Sequence, residues 1–303
     1  MSQSIAQKRV IIGGSAAVVA IVAIVAIVAA MSGSSASKPS VSAGKPLAVM
    51  AGPKGIVAGT TPNAAGDVWT LVNRAGQANV QLISTTSGKL LGIIPLSNQA
   101  RTVAVATGGE VGVGLAGGTS GAVEFFSGTG FVQAGSVPLP GPVLDLVAGS
   151  NGTSFYALVD VRGNDSVSIV SDRTFKIVGT VPLPSTTLSI AVSPDLTTIY
   201  SLQANGKISL ADAQTGQIIE ALPSAAGGRQ IALSVDGATL YVLKGTGVDD
   251  NVSVINVGTQ STVAVLPAPA NCQWIAPTLD GSQLADFVGT ATYGNVQFFA
   301  THR

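Results

Sequence analysis

The sequence predicts an all-β propeller of six four-stranded blades behind one apolar N-terminal segment. Three observations carry this. A proline-bearing phrase recurs at a near-constant interval. Between its copies, short apolar runs alternate with turn residues. Finally, the chain carries one strand too many at its start and one too few at its end.

The phrase is written "IIPL" (93–96), "VPLP" (137–140), "VPLP" (181–184), "ALPS" (221–224) and "VLPA" (265–268). Its first prolines, Pro95, Pro138, Pro182, Pro223 and Pro267, stand 43, 44, 41 and 44 residues apart. A strand-built period of about 40–45 residues is that of propeller blades. Proline has no N–H to give to a ladder, so it belongs on the outer edge strand, closing one blade before the chain steps inward to the next.

Each unit has the same interior. An apolar run such as "TVAVA" (102–106), "LSIAVS" (188–193) or "WIAPT" (274–278) supplies the inner strand. A turn follows, written "SNG" (150–152), "SPD" (193–195), "VDG" (235–237) or "LDG" (279–281). Asn-Gly and Asp-Gly are read as type I′ hairpin turns, with positive φ at both central residues. The second strand reads "SFYALV", "TIYSLQ" or "TLYVLK", and the third "SVSIV" (166–170) or "NVSVIN" (251–256). A turn such as "SGK" (87–89) or "TGQ" (215–217) leads to the fourth.

Five boundaries define six units, the last (268–303) with three strands only. "PLAVMA" (46–51) precedes the inner-strand candidate "GIVAGT" (55–60), so 46–51 is expected to complete the last blade and close the ring. Closure removes the free edges of an open sheet. A seven-bladed ring is the alternative.

Upstream, residues 10–31, "VIIGGSAAVVAIVAIVAIVAAM", form an uncharged stretch of 22 residues, long enough for a transmembrane helix. Lys8 and Arg9 precede it, which places residues 1–9 in the cytoplasm and the propeller outside, in a single-pass membrane protein. The alternative is secretion after cleavage of a signal peptide, for which "SSAS" (34–37) offers small residues. Residues 32–45, "SGSSASKPSVSAGK", read as a flexible linker, leaving 46–303 as the propeller domain.

Two units, "ALSVDGATLYVLKGTGVDDNVSVINVGTQSTVAVLP" (232–267) and "AVSPDLTTIYSLQANGKISLADAQTGQIIEALP" (191–223), resemble the YVTN-type propeller repeat. The resemblance implies architecture, because that repeat is a folding motif shared by proteins of differing role.

Composition narrows the chemistry. Fifteen basic and fifteen acidic residues give no net charge, against a nucleic-acid footprint. The chain has one cysteine, Cys272, and one histidine, His302, so a Cys/His metal cluster and an interior histidine base are excluded by count. Glutamate occurs only three times, at Glu110, Glu124 and Glu220, and no acid–base pair is visible. No catalytic set, cofactor or metal is expected. "GVDDN" (247–251), with Asp249 and Asp250, is a weak calcium candidate and reads better as a polar turn.

Counting eight residues back from each turn glycine gives the residues expected at one mouth of the channel. They are Arg101, Arg229 and Gln273, with Leu144 and Leu188 in units three and four and a looser match at Lys54 in unit one. Lys54, Arg101, Arg229 and Gln273 would then form an arc beside Trp274 and Cys272, suited to a carboxylate, phosphate or sugar acid. The competing reading is that these are solvated loop ends or partners of carboxylates such as Asp145, with Trp274 and Cys272 packed in the core. The expected function is a membrane-tethered binding or scaffold module whose partner is a protein, an envelope polymer or an anionic ligand. The alternative is a lactonase-like hydrolase, with Asp145 its best residue.

Overall fold

The computed structural model describes residues 46–301 apart from Ala75 and Asn98. The expected transmembrane helix at 10–31, the termini 1–9 and the linker 32–45 lie outside the described residues. Among those described, no helix is long and apolar enough to cross a membrane.

The domain is a six-bladed β-propeller of four-stranded antiparallel sheets. Blade 1 holds β2 (Ile56–Gly59), β3 (Asp67–Arg74), β4 (Gln77–Ser84) and β5 (Leu90–Leu96). Blade 2 holds β6 (Ala100–Val105), β7 (Glu110–Gly117), β8 (Ser120–Ser127) and β9 (Gln133–Leu139). Blade 3 holds β10 (Val143–Ala148), β11 (Ser154–Val161), β12 (Asn164–Ser171) and β13 (Lys176–Pro182). Blade 4 holds β14 (Thr187–Val192), β15 (Thr198–Gln203), β16 (Ile208–Asp212) and β17 (Ile218–Leu222). Blade 5 holds β18 (Gly228–Leu233), β19 (Thr239–Lys244), β20 (Asn251–Asn256) and β21 (Ser261–Pro267). Blade 6 holds β22 (Cys272–Pro277), β23 (Gln283–Gly289) and β24 (Gly294–Ala300), and takes its outer strand, β1 (Ala48–Ala51), from the start of the domain. The register of that closing pair runs from Ala48 opposite Phe298 to Ala51 opposite Asn295. The boundary prolines end the outer strands as expected: Pro182 and Pro267 are terminal residues, and Pro223 follows β17 directly.

Both faces of a blade pack against neighbours, so the second strands are apolar on both faces; Phe155–Val159 of β11 are all buried. The outer strands are not, and β17 buries only Leu222. The core is correspondingly divided into six apolar clusters, one at each junction between blades. Met50, Phe287 and Phe298 of blade 6, for example, meet Ile56, Val68 and Ile83 of blade 1.

The turns differ from the expected type I′. In each, one N–H bonds the carbonyl three residues back, as Gly237 does to Ser234 and Gly281 to Thr278. Only that fourth residue has positive φ, 74° at Gly237 and 68° at Gly281. This is a type I turn ending in a left-handed residue, which suits longer loops. Blade 4 places Leu196 there, at φ 62°. In blades 4 to 6 a hydroxyl locks the turn: Ser193, Ser234 and Thr278 donate to Asp195, Asp236 and Asp280 and accept the N–H five residues on. Hydroxyl donors from Thr278 and Ser282 draw Asp280 down to about 2.

A second left-handed residue sits in the turn between third and fourth strands. In blades 2 and 3 it is a phenylalanine, Phe131 (φ 55°) and Phe175 (φ 49°). Each ring fills a hole left by a glycine in the previous blade's outer strand, Gly92 and Gly135, where a Cβ would overlap the ring. The aromatic body thus fixes blade spacing at the rim.

Candidate functional site

The inner strands build the channel, and all six share one irregularity near their start. A bulge places an extra residue at Val57, Arg101, Leu144, Leu188, Arg229 and Gln273. The count of eight therefore found a real structural register in five blades. In blade 1 the position belongs to Val57, not to Lys54, which lies three residues earlier in the entry loop.

The residues just after the bulge do the chemistry of the channel's inner end. Asp145 Oδ2 accepts the Ile190 N–H (2.9 Å) and the Ser189 hydroxyl (2.7 Å), while Oδ1 accepts its own neighbour's N–H at Leu146 (2.8 Å). Ser189 Oγ in turn accepts the Ile231 N–H (3.1 Å). Gln230 Oε1 accepts the Ile275 N–H (3.2 Å), and its Nε2 donates to the carbonyls of Ile231 and Ile275. One side chain per blade thus satisfies the free edge of the next inner strand, from blade 3 round to blade 6. At the same position in blade 2, the buried Thr102 hydroxyl lacks a partner; the matching N–H, at Leu146, is already held by Asp145. In blade 6 the position is Trp274, which packs into the clusters of blades 1 and 6. Burial pushes Asp145 up to about 6, against the pull of its three donors.

The expected arc is not brought together as one cationic site. Arg229 turns into the junction of blades 5 and 6, where Nη2 pairs with Asp250 (2.8 Å) and donates to the Cys272 carbonyl (2.6 Å). Its partner is thus Asp250, not Asp145. Asp250 also accepts the Gly247 and Cys272 N–H groups, so the expected polar turn is a structural anchor. Asp165 performs the same service two junctions earlier, between blades 3 and 4, for Thr187 (2.6 Å). Gln273 spends its amide on the carbonyls of Asn271 and Gly289. Arg101 and Lys54 are exposed, and neither side chain has an ion pair or hydrogen bond among the described residues. Cys272 is fully buried; burial and, secondarily, Asp286 push its thiol well up. Among the described residues no group of three or more His, Cys, Asp or Glu could hold a metal ion.

Asp286 was invisible to the sequence reading. It lies buried at the same junction, with Oδ1 lacking a partner. Burial first, and Asp250 second, push it well above the usual carboxylate range. Its equivalents opposite the inner strands of blades 2 and 5 are Val113 and Val242. Asp286→Val is therefore expected to stabilise the domain by about 1–3 kcal/mol, since it removes a buried polar atom without a partner. The gain grows with pH, because a carboxyl raised in the folded state costs stability as pH climbs past its unfolded value. Urea unfolding at pH 5 and pH 8 checks both sign and trend.

Two concavities remain. A polar groove of about 470 Å³ on blade 1 is lined by Pro53, Lys54, Val72, Arg74, Gln77, Asn79 and Gln81. It opens at the mouth where the inner strands begin. Arg74 stands opposite Gln77 and Val72 opposite Asn79, so cations and amides share one sheet face. The groove lining contains no carboxylate, and Arg74, like Lys54, has no side-chain partner among the described residues. The second concavity is the channel itself, about 440 Å³, walled by all six inner strands or the turns that follow them. Its inner end is Asp145, Gln230 and Trp274, and its outer end is the turn mouth at Ser150, Pro194, Val235 and Leu279. The chain matches no protein-family model and no curated protein.

Proposed function

We propose that the chain is a membrane-tethered extracytoplasmic binding module whose propeller holds an acidic polymer or other anionic ligand at the entry mouth. The observation that carries this is the blade 1 groove, where Lys54 and Arg74 stand free beside three amide side chains with no carboxylate in the lining. A guanidinium and an ammonium, flanked by amide donors, suit carboxylate or phosphate groups. Exposed Arg101, on the next blade, extends the positive side of that mouth. The segment 10–31 supplies the tether, and Lys8 and Arg9 set its direction. This retains Lys54 and Arg101 as contacts of the anion and adds Arg74, while Arg229 and Gln273 serve the framework and Trp274 lines the channel.

Calorimetry with a uronic-acid oligomer tests it. The expected result is saturable binding that weakens with salt and falls at least tenfold in a Lys54→Ala/Arg74→Ala variant that unfolds at the parent's midpoint. Equal binding by that variant rejects the reading. The hydrolase alternative rests on Asp145, whose carboxylate already serves three donors and is joined by no second carboxylate in the channel lining.

A further inference from the structure

The central channel is chemically unlike the groove. Its walls are mostly Val, Ile, Ala and Leu side chains from blades 2 to 6, with Gly59, Thr60 and Thr61 from blade 1, and its rim carries Val235 and Leu279, each 50% exposed. Among the described residues no basic side chain lines it, and Asp145 is the one charged residue in the lining. A carboxylate offers about four lone-pair sites, and three of Asp145's are taken. All three donors are neutral, so the carboxylate has no counter-ion. A charge in such a place is strongly disfavoured unless something pairs with it. Trp274 shares the same end of the channel, and an indole face attracts a cation within about 6 Å of its centroid. Gln230 adds an amide oxygen that so far accepts only the Ile275 N–H.

A hydrated metal ion is poorly served here, because calcium wants six to eight oxygens and the walls are hydrocarbon. An anion would meet Asp145. An uncharged apolar molecule gains the walls but leaves the buried charge unpaired. A volume of about 440 Å³ fits a small organic molecule.

We propose that the channel binds an organic ammonium ion with an apolar body, its charged nitrogen at Asp145 and Trp274 and its body along the inner strands toward the Val235–Leu279 rim. This site is independent of the blade 1 groove and does not rest on the anion reading.

The test is calorimetry on the full-length chain in detergent micelles, with empty micelles as the reference, using tryptamine, tryptophol and indole-3-acetate. The three share one ring system and differ in the charge of the tail. Tryptamine is expected to bind one per chain, at least tenfold more tightly than tryptophol, with indole-3-acetate weaker still. Asp145→Asn should bring tryptamine down to the tryptophol level while tryptophol is unchanged. Trp274→Leu should weaken tryptamine several-fold with the carboxylate intact. Equal affinity for tryptamine and tryptophol in the unmutated chain, or no saturable binding of either, overturns the proposal even if neither variant folds. Loss of tryptamine binding in Lys54→Ala/Arg74→Ala, with Asp145→Asn unaffected, also overturns it by placing the cation elsewhere.

Discussion

Met50→Asp is expected to lower the unfolding midpoint of the domain by roughly 10 °C and to expose the last blade to exchange before the rest. Met50 is the residue of β1 that faces inward, buried with Val68 and Ile83 of blade 1 and with Phe298. Its neighbours Val49 and Ala51 are exposed, so attachment rests on this one side chain and on the ladder to β24. Removing a buried methionine costs about 2–5 kcal/mol, and a carboxylate cannot stay buried there unpaired. About 4 kcal/mol at 2–4 °C per kcal/mol gives the expected fall for a domain this large. Hydrogen exchange locates the damage. Protection should be lost first in β24, whose outer edge is left bare, and the bare edge should promote association at high concentration. An unchanged midpoint would show that the ring does not depend on β1.

Asp145→Ala is expected to destabilise the domain by about 3 kcal/mol at pH 5. It strands the buried Leu146 and Ile190 N–H groups and the Ser189 hydroxyl, and each stranded group costs about 1–3 kcal/mol less whatever relaxation or channel water recovers. The pH dependence carries the sign. Folding raises Asp145 from 3.8 to about 6, so the native state binds its proton more tightly than the unfolded chain. Its contribution is complete below the unfolded value and is lost as pH rises through about 6. The full difference corresponds to roughly 3 kcal/mol. The parent should therefore be more stable near pH 4.5 than at pH 7, the reverse of the usual carboxylate trend. Asp165, Asp172, Asp286 and Glu124 are also raised by burial and add in the same direction. Asp195 and Asp280 are lowered and act only on the acid side of this window. In Asp145→Asn the slope between pH 4 and pH 6 should flatten, leaving the part due to the other raised carboxyls. Denaturant titrations at four or five pH values resolve it, and an unchanged slope in the Asn variant would refute the assignment.

The blades were legible because a proline at the end of an outer strand leaves its mark directly in the sequence, and five such strands leave a period. Ring closure was legible by the same route, since 46–51 had no other sheet to join. The mouth register was legible in five blades, where the bulge lies eight residues before the left-handed turn residue. It failed in blade 1, where the interval from Val57 to Gly66 is nine and a count of eight lands on Ala58; the looser match at Lys54 lies in the loop before the strand. The turn type was misread because Asp-Gly reports one left-handed residue and says nothing about its neighbour. What the sequence could not yield were partners across junctions. Arg229 and Asp250 are 21 residues apart, Asp145 and Ile190 are 45, and nothing local distinguishes a free arginine from one turned inward. Asp286 hid for the same reason, in a position that blades 2 and 5 fill with Val113 and Val242.

The closing pair also sets an order of events. β1 is the first strand of the domain to leave the ribosome, and its partner β24 is the last. No four-stranded sixth blade can form until β24 has been made, and the search that joins them spans almost the whole domain. Loops of that length close slowly and raise contact order. Folding should therefore be limited by a late step, with five blades already formed and the first strand still waiting. A C-terminal truncation that ends before Gly294 should trap that waiting state.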